Sequence, residues 1–536
     1  MSVCGKLRIA YDMNYTSTRN SSISITAADA IVKGISEEGG LFVPANLAEL
    51  SKFTVEELAG LAEKSYTERA FNVLSKFLDF GYDELRSCVN NAYNFNFKTI
   101  GITRMVSLDD TTYMLELWHG PTAAFKDMAL QILPGLLNVS MKKINQSRKT
   151  LILTATSGDT GKAALEGFKD VEGIEIAVFY PEDGVSDIQK KQMTTQEGKN
   201  VHVFAVKGNF DDCQNAVKAV FTDSEVVEKA EKAGFSFSSA NSINWGRLCP
   251  QIAYYISAYA DLIQKKAIFA GDKINICVPT GNFGNILAAY YAMEMGLPVQ
   301  NLICASNTNN ILTDFINTGI YDRNREFHTT VSPSMDILIS SNLERLLYHI
   351  SGNSDALVSE WFIALKQNGK FEVNSKVKTK MKSLFYGGWC SETETAETIK
   401  SVFNEYGYLM DTHTAVGFKV FQDYVKKTGK SGTKTIIVST ANPYKFGEAV
   451  HESLYGAYEP ESEDVEDIIT PENEFAYEED MNKQCESEPT GLMKAIQDRT
   501  GIPAPKSLTG ITDNPVRFTE ILSKDEIKDA VLKILS

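Results

Sequence analysis

From Met114 onward the chain alternates short apolar runs with stretches whose apolar residues recur at helical spacing. Residues 150–155, 174–179, 201–206, 274–278, 301–306 and 435–439 read as strands, with helical stretches between most of them. That alternation predicts an α/β architecture with a largely parallel sheet. Ligands of such sheets bind at the carboxyl ends of the strands, so the loops directly after these runs are the functional candidates. Residues 1–110 read as a separate, mostly helical lead-in. Thr26 is a plausible N-cap for a helix over 27–35, a Gly39-Gly40 turn leads into a short extended piece, and helices are expected over 55–65 and 67–77. The region 308–431 is mostly helical in pattern, with loops such as 321–334, and 491–536 returns to helical spacing. No repeat period emerges.

One stretch brings chemistry to this frame. An apolar, strand-like run over 113–118 ends at His119-Gly120-Pro121, and a helical segment starts near Phe125 and runs through Leu130 to Leu137. Lys126 therefore stands where a turn becomes a helix, with apolar neighbours on both sides. A lysine placed so can lose solvation, its amine pKa falls, and an amine of that kind suits Schiff-base chemistry. Taken alone, the stretch is read more readily as an ordinary solvated lysine at a helix start.

Three loops follow strands. Thr156-Ser157-Gly158-Asp159-Thr160-Gly161-Lys162 offers hydroxyls, two glycines and free amides at a helix start, a set that can hold an anion. It is not a phosphate loop of the nucleoside-triphosphate type, because Thr156 replaces the first glycine and Ala163 follows the lysine. Pro279-Thr280-Gly281-Asn282-Phe283-Gly284-Asn285 would make a nest of amides for a phosphate with few charged side chains. Ser439-Thr440-Ala441-Asn442-Pro443 puts hydroxyls at a strand end. Between them, Asn241-Ser242-Ile243-Asn244-Trp245-Gly246-Arg247 opens a helix and supplies amides, a hydroxyl and a guanidinium for a second anion. Each of these segments, taken singly, is also readable as a turn or a capped helix start.

Composition changes little in this picture. A chain of 536 residues has room for roughly two to four domains, and 43% hydrophobic with 23% charged residues is ordinary for a globular protein. The net charge of −16 argues against a nucleic-acid partner, but much of it is local: residues 459–488 hold thirteen acids and one lysine. That segment reads as a solvated insertion. Eight scattered cysteines without a CxxC pair argue against a disulfide framework or structural zinc. No targeting pattern and no membrane-length apolar run is found, so a soluble, cytoplasmic protein without membrane or metal is expected.

Taken together and in order, these motifs resemble the threonine synthases. The matching residues are His119-Gly120-Pro121-Thr122 with Phe125-Lys126-Asp127, Ala155 to Gly161, Asn241 to Trp245 with Arg247, Pro279 to Asn285, and Ser439-Thr440-Ala441 with Pro443 and Lys445-Phe446. Tyr15 to Arg19 and Glu38 to Pro44 resemble the family's opening segment. Ala123 and Asn442 depart from its usual pattern, and the acidic segment has no counterpart. The resemblance implies a fold type II pyridoxal 5′-phosphate enzyme with two parallel-sheet α/β domains and a helical N-terminal domain. It divides the chain into 1–110, a large cofactor domain of 111–145 with 236–536, and a small domain of 146–235. It implies that Lys126 is the Schiff-base lysine and catalytic base, and that Gly281, Asn282, Phe283, Gly284 and Asn285 hold the cofactor phosphate. By the same resemblance Thr440 would meet the pyridine nitrogen, and Ser157, Asp159, Thr160, Asn241, Ser242 and Arg247 would bind substrate, with Ser157 and Thr160 near the carboxylate and Ser242 and Arg247 near the leaving phosphate. The implied reaction turns O-phospho-L-homoserine and water into L-threonine and phosphate, by a monomer or homodimer. A phospho-lyase giving 2-oxobutyrate and a non-catalytic protein of the same fold are the alternatives.

Overall fold

The computed structural model describes residues 13–97, 101–458, 488–511 and 514–536. The acidic segment expected to be a solvated insertion lies, but for its last residue, outside them. Two sheets carry the architecture. The larger has six strands in the order Phe385–Trp389, Val299–Ser306, Ile274–Pro279, Thr435–Ser439, Thr112–Glu116 and Arg104–Ser107. All neighbours are parallel except the last pair. The smaller has five parallel strands, Ile521–Ser523, Val201–Lys207, Ile174–Pro181, Lys149–Ala155 and Phe235–Ser239.

Period-2 alternation explains how each sheet is buried on both faces. Tyr113 and Leu115, Ile274, Ile276 and Val278, and Ile436 and Val438 enter one core, while Met114, Cys277 and Ile437 enter another beneath the helices Glu392–Tyr406 and Thr412–Thr428. In the small sheet Ile152 faces the shared core, and Leu151 and Leu153 face Val531 and Leu535 of the C-terminal helix Ile527–Leu535. The helix Trp245–Gln264 runs through the shared core and is buried on every side through most of its length, as its nearly unbroken apolar sequence requires. No helix among the described residues is long and apolar enough to cross a membrane.

Three expectations change. The N-terminal part is not only helical: Tyr15–Ser17 is a buried strand paired with Asn20–Ile25 and Phe42–Pro44. Its hydroxyls are satisfied inside, Thr16 donating to the Asn20 carbonyl and Ser17 to Glu38. The helix after Lys126 is two helices, Asp127–Leu130 and Leu133–Lys143, and Pro134 sits in the first turn of the second, where its missing N–H costs nothing. The small sheet does not stop at residue 235. Phe235–Ser239 and Ile521–Ser523 close its two edges, so residues assigned to the large domain return to pair with Lys149–Ala155 and Val201–Lys207.

Candidate active site

The carboxyl ends of both sheets meet at one cavity. All thirteen residues singled out in the sequence line it: Lys126, Ser157, Asp159, Thr160, Asn241, Ser242, Arg247, Gly281, Asn282, Phe283, Gly284, Asn285 and Thr440.

Lys126 is presented by a turn that its own neighbours lock. The buried Asp127 carboxylate accepts from the Thr122 backbone N–H at 2.8 Å and from the Thr122 hydroxyl at 2.7 Å. Burial lifts that carboxyl to about 7 against the pull of both bonds. Gly120 admits no side chain, since a Cβ there would lie 2.5 Å from Asp127. Ala123 takes a left-handed conformation, φ 57°, and Phe125 N–H donates to the Thr440 carbonyl at 2.8 Å. Lys126 is thereby sewn to the strand end that carries Thr440.

The Lys126 amine is buried and makes two hydrogen bonds, 3.0 Å to Asp159 Oδ2 and 3.1 Å to Ser334 Oγ. Burial lowers its pKa, the Lys445 and Arg247 cations push the same way, and Asp159 opposes them. Asp159 is held from all sides: Lys445 Nζ lies 2.7 Å from Oδ1, and Gln189 donates to Oδ1 at 2.8 Å. Burial would raise the Asp159 carboxyl, but the two lysines hold it far below the usual carboxylate range. Both oxygens being used by the protein, Asp159 is a counter-charge for two lysines, which differs from the substrate contact expected for it.

The glycine loop between Ile274–Pro279 and the helix Gly284–Glu294 forms a concave nest. Phe283 caps the helix in the left-handed region, φ 62°, which turns successive amides toward one point. A Cβ on Gly281 would meet the Ser334 carbonyl at 2.4 Å, so only glycine fits. Asn285 Oδ1 accepts from Tyr254 and Tyr255 at 2.6 and 2.5 Å, and its buried Nδ2 has no partner among the described residues. Ser242 lies against this nest, 3.6 Å from a Cβ built on Gly284, and accepts from Asn342 Nδ2 at 3.0 Å.

The opposite wall joins the two segments that were expected to bind separate anions. Arg247 donates to the Ala240 carbonyl at 2.7 Å and to Thr160 Oγ1 at 3.3 Å, and Asn241 Nδ2 reaches the Ala155 carbonyl at 3.2 Å. Among the described residues Arg247 Nε has no partner, and burial brings the guanidinium down to about 10. A buried cation with a vacant donor favours an anion arriving from the cavity. Thr440 lines the cavity while Ser439 turns away to accept from Trp118 Nε1 at 3.0 Å.

Sequence reading missed Ser334, His413 and Lys445. Ser334 lies in a loop without glycine punctuation, His413 is a lone histidine, and Lys445 was noted only as part of a resemblance. Asn442, one of the departures, caps its own turn by accepting from Tyr444 N–H at 3.0 Å.

Comparison with known proteins adds three findings. Residues 14–93 match a family described as threonine synthase N terminus, 98–360 one described as pyridoxal-phosphate dependent enzyme, and 414–484 one described as threonine synthase, C-terminal. Threonine synthase-like 1 of Homo sapiens is 42% identical over 438 residues, 80% of this chain but 58% of that protein, so the chain spans less than two thirds of that relative's length. Threonine synthase of Pseudomonas aeruginosa is 38% identical over 446 residues, 83% of this chain and 91% of that one. The crystal structure of pyridoxal-phosphate-bound threonine synthase from Brucella melitensis superposes with a TM-score of 0.80 at 33% identity, covering 97% of this chain and 99% of that one.

Proposed function

Because this chain belongs to the threonine synthase family of pyridoxal-phosphate-dependent enzymes, we propose that it binds pyridoxal 5′-phosphate and converts O-phospho-L-homoserine and water into L-threonine and phosphate. The observation that carries this reading is the convergence of a buried, pKa-lowered lysine and an amide nest on one cavity. The residues suit the cofactor. The nest offers neutral donors, an unpartnered Asn285 Nδ2 and no carboxylate, a set fitted to a phosphate. When bound, the cofactor would supply an aldehyde for the substrate amine and a conjugated ring to accept negative charge from Cα.

The chain's own residues divide the remaining work. Gly281 to Asn285, with Ser242 beside them, would hold the cofactor phosphate, and Thr440 would meet the ring nitrogen. Lys126, freed by the substrate amine, would act as general base at Cα and then at Cβ. Its lowered pKa makes the free amine, the form a base requires, easier to reach than in a solvated lysine. Ser157, Thr160, Asn241 and Arg247 would orient the substrate's two anions on one wall, the guanidinium being the charge that pairs with them. Asp159 and Lys445 would stay bound to each other and keep the amine of Lys126 in place. The cytoplasm as compartment and a monomer or homodimer as working unit belong to the same proposal. Light scattering on the purified protein measures the latter.

The reading is tested with purified protein, the cofactor and O-phospho-L-homoserine, separating amino acid from keto acid products. Threonine and phosphate in equal amounts support it. A predominance of 2-oxobutyrate would replace it with the phospho-lyase, and a protein that takes up no cofactor would replace it with a non-catalytic role.

A further inference from the structure

Ser334 belongs to a loop that no sequence motif marks, yet it touches the reactive amine. Its backbone is pinned on both sides. The Ser334 N–H donates to His413 Nε2 at 3.1 Å, and the Ser334 carbonyl lies where a Gly281 side chain would be. An amide N–H can only donate, so His413 Nε2 holds a lone pair and Nδ1 carries the hydrogen. That hydrogen points to Asp411 Oδ1, 3.0 Å away. Asp411 is fully buried, caps the helix Thr412–Thr428 and also accepts from the His413 backbone N–H at 2.9 Å. Phe446 packs against the imidazole ring, with centroids 4.7 Å apart. The tautomer and the ring position are both fixed, and through them the position of Ser334.

A neutral amine has two hydrogens and one lone pair. Lys126 has two acceptors, Asp159 Oδ2 at 3.0 Å and Ser334 Oγ at 3.1 Å. They take the hydrogens and leave the lone pair to point at whatever occupies the rest of the cavity. Ser334 Oγ, having accepted from Lys126, still owns a hydrogen, and among the described residues that hydrogen has no acceptor. A hydroxyl next to an amine that works at Cα is within reach of the group bonded to Cα, the carboxylate.

We propose that Ser334 is a second catalytic side chain of this site: it sets the direction of the Lys126 lone pair and donates its own hydrogen to the substrate carboxylate, and the Asp411–His413 pair is the positioning device that holds it there. This rests on the reading of Lys126 as the reactive amine. It adds to that reading a residue, a contact and a reason for a buried histidine beside the cavity.

The test uses full-length Ser334→Ala, His413→Phe and His413→Gln. Before cofactor is added, Lys126 is labelled with trinitrobenzenesulfonate across pH and followed by peptide mass. An acceptor favours the charged amine, so its loss in Ser334→Ala moves the Lys126 labelling midpoint to lower pH. In the loaded enzyme, Ser334→Ala lowers kcat and raises KM for O-phospho-L-homoserine, each on the order of 10-fold, as expected for a hydrogen bond to a charged group. His413→Phe falls as far, while His413→Gln, whose amide oxygen can accept from the Ser334 N–H, retains most of the rate. Should His413→Phe fail to fold, Ser334→Ala, which removes one half-buried atom, carries the test alone. A Ser334→Ala enzyme with labelling midpoint, kcat and KM all within twofold of the parent overturns the proposal. If the parent itself fails to turn over O-phospho-L-homoserine, the proposed reaction is wrong, and the labelling midpoint still decides the Ser334–Lys126 contact.

Discussion

At Lys126, burial and neighbouring charge act on one amine. Its folded-state pKa is lowered, so between that value and the ~10.4 of a solvated lysine the amine is free in the folded protein and protonated in the unfolded chain. Two outcomes follow. Amine reagents should label Lys126 at lower pH than exposed lysines such as Lys232, and the Lys126 contribution to stability should become less unfavourable as pH rises through that window. Lys126→Ala should cut turnover by on the order of 10⁴-fold with little change in melting temperature, since the amine serves chemistry more than packing. Arg247 gives a sharper case. Its guanidinium is buried with Nε unpartnered, so Arg247→Met should leave the melting temperature equal or higher while raising KM at least about 10-fold. A fall in melting temperature with KM unchanged would show that Arg247 is structural. The sequence made Lys126 and Arg247 visible because each stands beside glycines, hydroxyls or a cap at a helix start. It hid Ser334, His413 and Lys445, since their significance lies in whom they meet across 79 to 286 residues of chain.

At the scale of elements, the site is made by turns at strand ends, and two constraints there are testable. Gly281 faces the Ser334 carbonyl with no room for a methyl group, so Gly281→Ala must displace either the nest or the Ser334 loop. Pyridoxal 5′-phosphate affinity, measured by absorbance titration, should fall at least about 10-fold while the melting temperature of the cofactor-free protein drops by less than that of a core deletion. Arg345 is a fully buried guanidinium that binds the Phe42 carbonyl at 2.9 Å, Asn342 Oδ1 at 2.5 Å and the Ile243 carbonyl at 2.6 Å. It ties the N-terminal sheet, the segment leading to Arg247 and the loop behind Asn282 into one support. Arg345→Lys cannot reproduce that fork, and a loss of about 2–3 kcal/mol in denaturant unfolding is expected. Strand positions were legible because apolar runs of five to eight residues between turns leave few other readings. The break after Leu130 and the buried Tyr15–Ser17 strand were not, since Gln131 accepts from Asn96 and the strand pairs with Phe42–Pro44 while Ser17 donates to Glu38, partners distant in sequence that local pattern does not show.

For the whole molecule, the carboxyl ends of two parallel sheets make one cavity, and the chain crosses between the sheets more than twice. The last crossing was the least legible. Residues 491–536 look helical by spacing, but three of them, Ile521–Ser523, pair with Val201–Lys207 and the helix after them covers Leu151 and Leu153. Arg517 fastens the approach by donating to the carbonyls of Gln196 and Gly198. Removing residues 514–536 should expose a strand edge and an apolar face, lower the melting temperature and promote association, as seen by light scattering. The central claim, that these converging groups make a threonine synthase site, is tested most directly by one measurement: the products formed from O-phospho-L-homoserine by the purified, cofactor-loaded protein. The account predicts threonine and phosphate in equal amounts, with both lost in Lys126→Ala. Formation of 2-oxobutyrate in place of threonine, or threonine output unaffected by Lys126→Ala, would contradict it.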